Sequence, residues 1–169
     1  MAMSMYQASV PVMSRMLTNL NNILAKAAKH CEEKKIDPNA LLQARLYPDM
    51  FHLIKQVQVA TDMAKGGVAR LAGQEPPVYE DSEKTFADLA ARIEKTIAFI
   101  NGFKPEQIDG TEEKEITLKM RAGEVKFKGQ AYLQNFVHGN FYFHVTTTYA
   151  ILRHNGVELG KRDYLGNIF

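Results

Sequence analysis

Asn140, His144 and Thr148 follow one another at intervals of four in the stretch NFYFHVTTTYAILRHNG, residues 140–156. On a helix that spacing stacks the three polar side chains along one line. Phe141 and Leu152 fall close to the same face, so the line points inward. An imidazole held among aromatic rings is costly to charge, and when neutral it needs hydrogen-bond partners. A second pair, His52 and Gln56, is also four apart, and Met63 extends its strip. Set face to face, the two strips make a polar pocket lined by His52, Gln56, Asn140, His144 and Thr148. Helix bundles build ligand and metal sites in their cores in this way.

The donors limit what such a pocket can do. A catalytic zinc-type centre takes three protein ligands, most often histidine. The chain has five histidines: His30, His52, His138, His144 and His154. His30 stands among lysines near a helix end, where contact with the helix dipole accounts for it. His138 precedes His144 by about 240° of helix rotation, and His154 lies about 15 Å farther along the axis. Neither shares an ion with His144. Only His52 and His144 are placed to meet as metal ligands, and two imidazoles with amides make a thin site. The sequence contains no Gly-x-Ser-x-Gly elbow, no His-Glu-x-x-His and no phosphate-cradling glycine loop. The paired carboxylates Glu32-Glu33 and Glu112-Glu113 sit in charge-rich surface stretches, and Tyr132, Tyr142 and Tyr149 fill space.

A chain of 169 residues with an ordinary apolar fraction suits one domain, residues 1–169, that buries its core without staples. The single cysteine, Cys31, excludes an internal disulfide and a cysteine-rich zinc module. With no basic-then-apolar leader, it points to a reducing cytoplasm. Lys and Arg number 21 against 19 Asp and Glu, mixed along the chain, so no basic face is offered to nucleic acid. No apolar run reaches the roughly 18 residues needed to cross a bilayer.

Four stretches carry the helical period. Val10, Met13, Leu17, Leu20 and Leu24 mark the first, with Pro11 at its start or at a kink. After two prolines and room for one short helix, Leu53, Val57, Ala60, Ala64 and Leu71 mark the second. Lys55, Gln58, Asp62 and Lys65 lie on its opposite side, and Gly66-Gly67 weakens it while admitting a close neighbour. Phe86, Leu89, Ile93, Ile97 and Ile100 mark the third, with Ser82 or Asp81 as its cap and Gly102 past its end. KEITLKM and EVKFKG then alternate as a β-hairpin around RAG. The fourth helix runs from about Ala131 to Asn155, Gly156 stops it, and the apolar tail VELGKRDYLGNIF packs back. Four stripes must face one another, which predicts an all-α antiparallel four-helix bundle with a long connection and a small hairpin before the last helix.

The order of elements and the stretch NFYFHVTTTYAILRHNGV resemble the DinB/YfiT-like superfamily. The resemblance implies a bundle whose metal-binding members hold a divalent ion, nickel or zinc, on three histidines. Two of these come from a His-x-x-x-His motif about twelve residues before the glycine that ends the last helix. Gly156 matches that glycine and His144 the second histidine, while Asn140 stands at the first. Gln56 matches the histidine of the second helix, with His52 one turn earlier. PVMSRMLTNL, YPDMFHLIKQVQVATDMAK and FHVTTTYAILRHNGVELGKRDYLG look more closely like a bacterial branch of the superfamily known as a domain of unknown function. Relatives include thiol-dependent transferases and isomerases, and homodimers are common. Three readings stay open. The first is a DinB-like protein binding a small ligand between helices two and four. The second is a divalent-metal-dependent transferase or hydrolase with an incomplete histidine site, ligated by His144 and His52. The third is a dimerising structural module with a vestigial pocket.

Overall fold

The computed structural model describes residues 3–120 and 123–167. Its first long helix, α1 (Val10–Lys34), has Pro11 in the first turn, where a missing N–H costs nothing, and ends on Lys35 in the left-handed region. A short α2 (Pro38–Leu42) starts on the Asp37 side chain, which accepts from the Asn39 N–H. The second long helix is α3 (Leu53–Leu71), and the third is α4 (Phe86–Asn101). Thr85 and Asp88 close a reciprocal capping box on α4, so the cap is Thr85 and not the expected Ser82 or Asp81. After α5 (Pro105–Ile108), strands β1 (Glu115–Met120) and β2 (Gly123–Lys128) pair antiparallel, from Glu115 opposite Lys128 to Met120 opposite Gly123. Arg121 and Ala122 of the expected turn lie outside the described residues. The last long helix begins as α6 (Gly129–Ala131) and passes through a π-helical stretch, Tyr132–Val137. It continues as α7 (His138–His154), and Gly156, at φ 88°, ends it.

The bundle closes as a ring in which α1 packs on α4, α4 on α3, α3 on α7 and α7 on α1. The expected four-helix architecture holds. Because α3 lies between α4 and α7, it is wetted on less of its circumference than its stripe suggests. Gln58 and Lys65, expected on its wet side, are both buried. On α4 the same geometry buries Arg92 and Thr96 and leaves Ile97 only half-buried. The close neighbour of the glycine pair is within the chain. A β-carbon on Gly67 would stand 2.7 Å from Val137 Cγ1, so α3 and the π-helical stretch meet where a side chain is missing.

The hairpin turns Ile116 and Leu118 into the core and leaves β2 outside apart from half-buried Phe127. The tail returns as expected. Val157 and Leu159 are buried, and α8 (Lys161–Leu165) packs on α1. There Asn19 Nδ2 donates to the Tyr164 carbonyl at 3.0 Å, and Lys26 pairs with Asp163 at 2.6 Å.

Candidate functional site

α3 and α7 cross so that Gln56 and His144 meet. Gln56 is 1% exposed and His144 8%, and Gln56 Oε1 lies 2.7 Å from His144 Nδ1. The amide is itself held, because Gln56 Nε2 donates to the Phe51 carbonyl at 3.1 Å, just before α3 begins. Burial lowers the His144 pKa from its ordinary value, so the ring is neutral near pH 7. Nε2 has no hydrogen-bond partner among the described residues. It is nonetheless not sealed off, since the sealed and unpartnered side-chain atom among those residues is His138 Nε2. Two phenyl rings flank the imidazole. Phe51 lies nearly parallel to it, with centroids 6.5 Å apart, and Phe143 meets it edge-on at 5.1 Å. Phe51 is 49% exposed and Phe143 55%, which is unusual wetting for rings of that size.

The other residues expected in the pocket each make a bond within their own helix or its cap. Asn140 Nδ2 donates to the Phe136 carbonyl at 2.7 Å, and Thr148 Oγ1 donates to the His144 carbonyl at 2.9 Å. His52 is the N-cap of α3, where Nδ1 accepts from the Lys55 N–H at 3.3 Å. Burial and the charges of Arg45 and Lys55 lower its pKa. The structure thus joins Gln56 to His144, keeps Asn140 and Thr148 on the same helix line, and joins no described contact between His52 and His144. Among the described residues no three His, Cys, Asp or Glu side chains form a group that could hold a metal ion. One imidazole beside neutral amides is a donor set that does not fit nickel or zinc.

A second polar cluster has no counterpart in the sequence reading. Arg92, 4% exposed, donates from Nε to Thr61 Oγ1 at 2.8 Å and pairs with Asp62, Asp81 and Glu83 at 3.0–3.2 Å. Lys65 also pairs with Asp62, and its ammonium sits 3.8 Å over the Tyr79 ring. Asp81 is further bonded by Lys55 at 2.6 Å. The cluster fastens the connection between α3 and α4 onto both helices. Its sequence signal was the spacing of Arg92, three after Leu89 and four before Thr96, on the apolar side of α4. Phe51 and Phe143 carried no such signal, because their wetting depends on how α3 and α7 cross.

Four surface concavities lie away from His144. One of about 380 Å³ borders Arg92, and others of about 600, 680 and 770 Å³ lie along β1, beside α8 and between the ends of α1 and α7. None of these four is lined by His144, Gln56 or Phe51. No helix among the described residues is long and apolar enough to cross a membrane.

Four long helices in this ring, with the α3–α7 pair carrying the polar strip and a hairpin before the last helix, define a DinB-like bundle. A crystal structure of a DinB family member protein from Shewanella denitrificans matches it at 43% identity with a TM-score of 0.89, covering 96% of this chain and 92% of that one. Residues 5–165 match the family described as Domain of unknown function (DUF1993), and the chain belongs to that family. No curated protein matches.

Proposed function

We propose that this DinB-like protein binds a small organic molecule at the mouth formed by His144, Phe51 and Phe143. The observation that supports it is a buried imidazole, locked by Gln56 through Nδ1, whose Nε2 has no partner among the described residues and whose ring packs against two half-wet phenyl rings. A core histidine with satisfied hydrogen bonds needs no exposed phenyl rings beside it. The reading of a metal-dependent transferase or hydrolase draws no support from the donors, since His52 caps α3 and amides hold the positions at 56 and 140. The glycine pair on α3 lends a homodimer no support. Gly66 and Gly67 are buried beneath Arg70 and Val137 of the same chain.

The test is a fragment screen on isotope-labelled protein, read at the imidazole nitrogens of His144 by NMR. Hits are expected to shift Nε2 and the amides of Phe51 and Phe143, and His144→Ala is expected to abolish them while the fold persists. Hits that cluster at Arg92 or along β1, with His144 unmoved, would displace the reading. Light scattering on the same samples separates a ligand mouth from a dimer seat, because a dimer formed through Phe51 and Phe143 would dissociate in Phe143→Ser.

A further inference from the structure

The hydrogen bonds around His144 run in one direction. The Phe51 carbonyl only accepts, so the amide nitrogen of Gln56 faces it and Oε1 is left to face the imidazole. That oxygen also only accepts, so Nδ1 carries the ring proton and Nε2 of the neutral ring keeps its lone pair. The same logic orients Asn140. Its Nδ2 donates to the Phe136 carbonyl, which turns Oδ1 away with no donor among the described residues. The Thr148 hydroxyl proton is committed to the His144 carbonyl. One helical turn apart on one line, two lone-pair acceptors therefore stand without a donor. Phenyl rings flank one of them.

We infer that the His144 mouth selects a neutral, flat aromatic molecule carrying an O–H or N–H donor, of the phenol, arylamine or azole class. The inference rests on the reading of this mouth as a ligand site. A carboxylate would bring lone pairs against lone pairs. An ammonium group would give up its hydration against two phenyl rings and a neutral imidazole, with no carboxylate among the contacts of His144 to repay it. A neutral donor avoids both penalties. It bonds Nε2 while its ring covers the exposed parts of Phe51 and Phe143.

The experiment titrates the labelled full chain with phenol, anisole and benzoate, and it first records the free protein. The free spectrum is expected to show the His144 proton on Nδ1. A proton on Nε2 would overturn the inference without touching the reading beneath it. Phenol is expected to shift Nε2 and to bind about tenfold more tightly than anisole, the worth of one hydrogen bond, with benzoate no tighter than anisole. Anisole equal to phenol would overturn the donor rule and leave a mouth for aromatic rings. Benzoate tighter than phenol would overturn it as well, by revealing a cation at the mouth. Silence at His144 toward all three would overturn the rule together with the proposed function.

Discussion

At the residue scale, the same hydrogen-bond rules that make His144 distinctive also explain why its neighbours are not. A threonine inside a helix readily turns its hydroxyl onto the carbonyl four residues back, and Thr148 does so. Asn140 does the same with its amide. The spacing of the polar line was legible in the sequence because it follows from helix period alone. Which of its members had groups left over was not, because each choice is made locally by rotamer. Gln56 was legible as a member of the facing strip from its spacing with His52, and the 2.7 Å contact makes it the partner of His144. Gln56→Leu is expected to strand the Nδ1 proton in the core and to lower stability by about 1–3 kcal/mol, measured by urea unfolding. Thr148→Val, which loses only a bond to its own helix, is expected to cost less. The pair Asn140→His with Gln56→His supplies two further imidazoles to His144, and calorimetric titration is expected to show tighter nickel or zinc binding than in the wild type. No gain in the double variant would mean that positions 56, 140 and 144 do not converge on one ion.

At the scale of elements, periodic stripes located the four long helices, and their ends were legible where glycine or proline forced a stop. The faces were harder to read. Helix α3 lies between two helices, so polar residues on both its flanks are covered, and Gln58 and Lys65 went inside with partners. A one-sided stripe cannot announce a second neighbour. The contact that brings α3 against the π-helical stretch is Gly67 on Val137. Gly67→Ala is expected to gain helix propensity yet lose more to overpacking, a net cost of up to about 3 kcal/mol. Adding Val137→Ala should then recover part of the lost melting temperature, which a cost confined to α3 itself would not allow. The Arg92 cluster ties the α3–α4 connection in the same structural sense. Arg92→Met removes the cation shared by Asp62, Asp81 and Glu83 and is expected to cost about 3 kcal/mol at most, because two of those carboxylates are well wetted. Arg92→Lys should rescue little, since an ammonium lacks the planar fork that reaches Thr61 and the carboxylates together.

For the whole molecule, the pH response follows from which groups the bundle buries. His144 and His138 are held below the ordinary imidazole range by burial. His52 is held there by burial and by the charges of Arg45 and Lys55. All three shifts have the same sign. An unfolded chain takes up protons at these rings below about pH 6.5, while the folded chain resists until the pH falls further. The unfolded state therefore binds more protons in that window, and stability must fall as pH drops through it. The shifted carboxylates act lower down. Asp81, held below the usual range by Lys55 and Arg92 against the opposing effect of its own burial, adds its loss only when carboxylates begin to protonate. The expected curve is flat above neutrality, declines from about pH 6.5 toward 5 through the imidazoles, and then declines again as the carboxylates titrate. Urea midpoints taken at half-unit steps measure it directly. His144→Gln removes one of the three titrating rings, so its first decline should be shallower than that of the wild type while the acid limb is unchanged. A wild-type midpoint that stays constant between pH 7 and 5 would mean that these imidazoles titrate as freely in the bundle as in water, and the buried, neutral setting assigned to His144 would be lost with it.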